Sequence, residues 1–242
     1  MRRLFLCLLL SGAAAGLGWG RQTPNLEPGA PGNKPVPVVA FDFAFPGANP
    51  AHYSIAVEST GQAAYRSDDL GAEGQSASNE GIPYLLEFLV SEATRTRIFQ
   101  LAKQAKYFQD DFNYTKTPVA NTGTKTLSYS EGPARSFDTP THGKRTQTVY
   151  NYSQNPSIQQ LTDIFQKISA TVELGRRLAR LHRFDKLGLD AELKLADEMA
   201  GKDELIELQA IAPALHSIAD DYRVLHMARE HAKHLLELAG TR

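Results

Sequence analysis

From Asn155 onward the apolar residues return at alternating gaps of three and four, and that spacing commits this part of the chain to long helices. Ile158, Leu161, Phe165, Ile168, Val172, Gly175, Ala179 and His182 form one series. Leu208, Ile211, Leu215, Ile218, Tyr222, Leu225, Arg229, Ala232, Leu236 and Ala239 form a second. Residues so spaced share one helical face, so each series predicts a helix that buries a stripe against a neighbour. Asn155-Pro156 is a start signal: asparagine caps the free N–H groups, and proline loses nothing in the first turn. Lys186-Leu187-Gly188 and Gly201-Lys202 predict turns around a short helix at about 191–200, and Pro213 should start a new helix or kink one. Two packings suit the seam, an intramolecular bundle and a coiled-coil dimer. Gly175, Ala179 and His182 fill a dimer seam poorly, which favours the bundle and leaves monomer or dimer open. Arg229 is expected to lay its stem across the seam with its head in water, or to pair with a buried acid.

Before Asn155 the period changes to two. Tyr53, Ile55 and Val57 alternate with polar neighbours, and Thr60-Gly61 supplies a tight turn, so 53–66 predicts a hairpin. Lys125 to Ser130, Ala134 to Phe137 and Thr146 to Tyr152 are further strand candidates, while Tyr84 to Val90 fits a strand or the start of a helix. Ser91 is a plausible cap for a helix over about 92–106, with Ile98, Leu101, Ala102 and Ala105 on one face. Ser67 to Gly81 reads as a long polar loop. The expectation is an α+β fold: a small antiparallel sheet with packed helices over 38–170, then a helical C-terminal bundle over 171–242.

The N-terminus carries an address. Met1-Arg2-Arg3, the apolar Leu4 to Leu10 and the small Ala13-Ala14-Ala15 have the three parts of a secretory signal peptide, expected over 1–20. The apolar run is too short for a membrane span, which takes about 20 residues, so no span is expected after cleavage. Arg2-Arg3 faintly echoes a twin-arginine signal, but the short n-region favours the general secretory route. Arg21 to Pro37 is rich in Pro, Gly and Asn and predicts a flexible linker. The protein is therefore expected to be exported, to the periplasm or beyond.

Charge and cysteine use close several functional classes. Without Arg2 and Arg3, 24 basic side chains face 27 acidic ones, a formal charge of −3. No basic footprint for nucleic acid or anionic lipid follows from that balance. Cys7 is the only cysteine and lies inside the signal, so the mature chain has neither disulfide nor thiol chemistry.

The search for chemistry yields one constellation. His226, Glu230 and His234 stand four residues apart on a predicted helix, with His231 beside them, a partial metal site in type and spacing. The stripe faces away from the apolar seam, and it matches neither H-E-x-x-H nor H-x-x-E-H. No nucleophile elbow, P-loop or dinucleotide fingerprint occurs, so no cofactor is expected. Ser128, Asp138 and His142 hold the elements of a triad without a sign of an oxyanion hole. Asp110-Asp111 and Asp220-Asp221 read as solvated charge. Asn113-Tyr114-Thr115 and Asn151-Tyr152-Ser153 fit the glycosylation sequon. Tyr107, Phe108, Phe112 and Tyr114 make an aromatic cluster of the kind enriched at interfaces as well as in cores.

Tyr53-Ser54-Ile55-Ala56-Val57, followed by Gly61 and Tyr65, resembles a hairpin in a family of secreted bacterial proteins of uncharacterised function. Some of these continue with a helix, strands and a helix, as Ile98 to Tyr107, Thr124 to Tyr129 and Val149 to Ile168 would here. The resemblance covers about half the chain, stops near Gly175, implies an exported bacterial protein and assigns no catalytic residue. The expected function is a non-enzymatic envelope or secreted interaction module for a protein or envelope partner. Its contact surface would be the aromatic cluster or the Ser67–Gly81 loop. The rival readings are a metal-binding protein or metal-dependent hydrolase using His226, Glu230 and His234, and a small-ligand carrier with a pocket between sheet and helices.

Overall fold

The computed structural model describes residues 36–68, 83–131 and 145–241. The expected signal peptide, nearly all of the expected linker, the strand candidate Ala134 to Phe137 and most of the Ser67–Gly81 loop lie outside them. Six strands form one antiparallel sheet: β1 (Pro37–Ala44), β2 (His52–Glu58), β3 (Gln62–Ser67), β4 (Tyr84–Leu89), β5 (Thr124–Glu131) and β6 (Arg145–Tyr150). Their order is β4-β3-β2-β1-β5-β6, so the first strand is central. Five helices complete the α+β fold: α1 (Glu92–Gln104), α2 (Pro156–Phe184), α3 (Lys186–Gly201), α4 (Ala212–Ala219) and α5 (His226–Thr241).

Register aligns the alternating side chains into rows that cross the sheet. Leu86, Tyr65, Ile55, Phe41, Leu127 and Thr148 stand side by side on the inner face, and Phe88, Ala63, Val57, Val39, Tyr129 and Thr146 form the next row. Ile98, Leu101 and Ala102 of α1 and Ile158, Leu161, Phe165, Ile168 and Val172 of α2 close on that face. Both helices start where expected. Ser91 Oγ accepts from the Thr94 N–H (3.3 Å), and Asn155 Oδ1 from the N–H groups of Ser157 (2.9 Å) and Ile158 (3.3 Å). The 84–90 segment resolves as a strand because its outward residues, Leu85 and Leu89, are exposed while Phe88 is buried against the inner row.

A second apolar core gathers Leu174 and Leu178 of α2 with α3, α4 and α5. α2 feeds both cores without a break, since Val172 belongs to the first and Leu174 to the second. Positions 170 and 171 lie inside this one helix, and the described residues form one compact unit. Gly175 is placed by contact: a Cβ there would come within 2.3 Å of Ile211 Cγ2. Pro213 does start a helix, at the first turn of α4. The second apolar series is not continuous, however. Helix stops at Ala219 and resumes at His226, leaving Tyr222 84% exposed. Asp221 makes the break: its carboxylate accepts from His182 (3.0 Å), Lys186 (3.0 Å) and Arg223 (2.9 Å), tying the α4–α5 turn to the α2–α3 corner. These donors, Arg223 foremost, hold its carboxyl far below the usual carboxylate range.

On the outer face of the sheet one histidine bridges two carboxylates. His52 Nδ1 meets Asp68 Oδ2 at 2.7 Å and its Nε2 meets Asp42 Oδ2 at 2.9 Å. Burial pushes the imidazole pKa down, but the two carboxylates outweigh it and raise the value above 6.5. The stability this adds is fully present below the unfolded value and is lost as pH rises through the higher folded one. The ring is 35% exposed, so we expect less than about 1 kcal/mol between wild type and His52→Gln in urea unfolding. That difference should be largest below pH 6.5, while the carboxylates stay ionised, and should shrink as pH rises above it. A difference growing toward alkaline pH would contradict the assignment.

Candidate functional site

The chain leaves α1 through a strained turn. Lys106, Tyr107 and Phe108 have φ of +49°, +53° and +62°. This left-handed region costs a residue with a Cβ about 1–2 kcal/mol, and three in succession persist only where the surroundings hold them. Two holds are evident. Phe108 is 1% exposed in the sheet–helix core, and Thr146 Oγ1 of β6 donates to the Tyr107 carbonyl.

The strain positions Tyr107. Its ring lies on that of Tyr129 from β5, centroids 4.5 Å apart and planes tilted by 41°. The pair lines a cleft of about 520 Å³ between α1 and one end of the sheet, where Pro37 and Ser59 complete the floor. Arg95, Phe99 and Lys103 stand along the α1 side. Arg95 has a loose exposed partner in Glu92 at 3.4 Å, and Lys103 has no ion pair among the described residues. Tyr129 O–H donates to Glu131 at 3.4 Å, and burial and then that carboxylate push its pKa up. An aromatic floor beside two cations suits a segment that offers an acidic side chain next to an apolar one.

Of the expected aromatic surface, Phe108 is core, Tyr107 and Phe112 are half-buried against that core, and Tyr107 also lines the cleft. Tyr114 meets Tyr152 edge-on at 6.0 Å. The histidine stripe divides between two sets of partners. His226 stands 3.9 Å from Glu230, which pairs with Lys233 at 2.8 Å. His234 turns to Asp197 of α3 at 2.5 Å, where His231 also bonds at 3.0 Å. Among the described residues no group of three or more His, Cys, Asp or Glu side chains is placed to hold a metal ion. No described helix is long and apolar enough to cross a membrane.

No family model and no curated protein matches this chain. The site consequently rests on its own geometry.

Several buried polar groups escaped the sequence reading. Glu207, in a left-handed conformation at φ +60°, accepts from Ser91 N–H (2.7 Å) and Ser91 Oγ (2.8 Å), joining the helical region to the start of α1. Glu173 and Lys125 are buried at the sheet–α2 junction. Both left a trace. Lys125, Leu127 and Tyr129 alternate on one strand face, and Phe165, Ser169 and Glu173 follow each other at gaps of four on one helix face. Alternation thus put a charge in each apolar row.

Proposed function

We propose that the protein is an exported, non-enzymatic interaction module that docks a partner segment in the Tyr107–Tyr129 cleft. The observation that carries this reading is the left-handed turn 106–108, whose strain serves to hold Tyr107 in an open, cation-flanked cleft. Strain of this kind concentrates where the backbone has been fixed for recognition. The occupant is a peptide segment with an acidic group between apolar side chains, because Arg95 and Lys103 face an aromatic floor. Export rests on the three-part N-terminal signal.

A photo-crosslinking residue replacing Phe99, in the full-length protein within the cell that makes it, tests the docking. A discrete adduct is expected, and Tyr107→Ala and Arg95→Glu should each reduce it several-fold. The same crosslinker at Lys194 is the control. No adduct at position 99, or an equal one at both positions, would overturn the reading. N-terminal sequencing of the fractionated protein decides export: a new terminus beyond Ala15 is expected outside the cytoplasm, and an intact Met1-Arg2 terminus inside it would refute the address.

A further inference from the structure

The inner row at the far edge of the sheet places a lysine where an apolar residue belongs. Lys125 pairs across β1 with Phe43 and across β6 with Tyr150, and it is 5% exposed. Its ammonium reaches four oxygens: Thr122 O (3.1 Å), Thr122 Oγ1 (2.9 Å), Gly123 O (3.1 Å) and Asn151 O (2.9 Å). The Phe43 ring lies 5.7 Å away. All four oxygens are neutral, and no carboxylate among the described residues lies within ion-pair distance of Nζ. The hydrogen bonding is satisfied but the charge is not answered. A cation taken out of water without a counter-charge is costly to the fold. Burial accordingly pushes the lysine pKa down.

Lys125 is among the residues that line a cavity of about 280 Å³ between β6, the 151–153 segment and the first turns of α2. Its other walls combine Ile158 and Tyr152 with hydrogen-bonding groups: the Tyr150 and Thr162 hydroxyls, 2.6 Å apart, the Gln166 amide, and the Gln159 amide, which already donates to Ser153 O at 2.9 Å. Asp163 at the mouth is already neutralised by Lys167 at 2.9 Å. The cavity shares no lining residue with the Tyr107 cleft.

We propose that this cavity binds a small hydroxylated carboxylate, of the sugar-acid kind, whose anionic group supplies the counter-charge that Lys125 lacks. One ammonium matches a monoanion. A phosphate would call for a guanidinium fork or a second cation, and no Lys or Arg besides Lys125 lines the cavity. The amides and hydroxyls of Gln159, Gln166, Thr162 and Tyr150 receive the ligand's hydroxyl groups. The volume lies at the small end of ligand pockets, which run from about 300 Å³ upward, and so restricts the ligand to a single sugar-sized unit.

The direct test follows the ammonium resonance of Lys125 in the full mature protein, with isotope-labelled lysine, during titration with glucuronate, acetate and glucose. Glucuronate should shift it saturably with a Kd of ~1 mM or tighter, acetate more weakly, and glucose should leave it in place. Lys125→Met, which keeps the stem and removes the charge, should weaken glucuronate binding at least tenfold by calorimetry. If that variant does not fold, Gln166→Ala, at an exposed position on the cavity wall, should weaken it several-fold. A response to glucose equal to that to glucuronate would overturn the proposal. So would the lack of a saturable response to either carboxylate, or unchanged affinity in the folded variant.

Discussion

Phe165→Ala is expected to lower the unfolding free energy by about 3–5 kcal/mol, the range for deleting a fully buried aromatic ring. Phe165 has no exposed surface, and its ring stacks on that of Phe41, centroids 5.3 Å apart and planes within 3°. Phe41 stands on a central strand, so this contact lies where the longest helix crosses the middle of the sheet, among the other α2 residues of the same core. No described neighbour can swing in to fill the hole, because the flanking Ile55, Leu127 and Leu161 are themselves fully packed. Since small proteins hold only about 5–15 kcal/mol in total, the variant should melt roughly 10 °C lower. Phe165→Leu, which keeps most of the volume, should cost about 1–2 kcal/mol. Urea unfolding of the three proteins is the measurement. A loss below about 1 kcal/mol for the alanine variant would mean that α2 is not held on the sheet by this stack.

Glu173→Leu is expected to cost about 3 kcal/mol although it makes the interior more apolar. Glu173 is 8% exposed, and its Oε1 accepts from the Tyr65 hydroxyl at 2.8 Å and from Ser67 Oγ at 2.8 Å. Arg176, one turn on, stands 3.5 Å from Oε2 and lies 5.2 Å from the Tyr84 ring centroid. Tyr65 and Ser67 are both fully buried. Without the carboxylate, the Tyr65 hydroxyl loses its 2.8 Å acceptor and is left with the neutral hydroxyls of Ser169, at 3.4 Å, and Ser67. A buried donor with a poor acceptor loses the solvation it had in the unfolded chain and gains little in return. Burial, and then the Glu173 charge, push the Tyr65 pKa well above its usual value of 10, so the phenol stays a donor across the working pH range. Glu173→Gln retains an acceptor oxygen and should cost only about 1 kcal/mol. The diagnostic outcome is the order wild type, Gln, Leu in denaturant midpoint; a leucine variant as stable as wild type would show that Glu173 carries none of the sheet–helix attachment.

The two substitutions differ in how far the residues could be read in advance. Phe165 belongs to the three-and-four series of α2, so its burial was legible from spacing. Glu173 sits one position from Val172 in the same helix, and a helical glutamate is ordinarily solvated. What buries it is Tyr65, whose place in the sequence lies on a hairpin more than a hundred residues away. The same contrast holds at the candidate site. The aromatic cluster after α1 was visible, but the left-handed backbone at Lys106, Tyr107 and Phe108 and the full burial of Phe108 were not. That turn carries no glycine to announce it. The second helical series looked continuous because Tyr222 and Leu225 keep the spacing, yet the three side chains converging on Asp221 stabilise a turn there instead.

The sequence alone determined the α+β class, the period-two hairpin, the starts of α1, α2 and α4, and the apolar faces these elements bury. All of these follow from local periodicity and capping, which act within a few residues and need no partner. Only the tertiary structure decided that Pro37–Ala44 is the central strand, that Ile211 covers Gly175, and that Glu173, Glu207 and Lys125 sit inside the protein. Each of those outcomes depends on a residue from another element arriving at hydrogen-bonding or van der Waals distance. The energy of such a pairing belongs to the pair, so neither segment carries it alone.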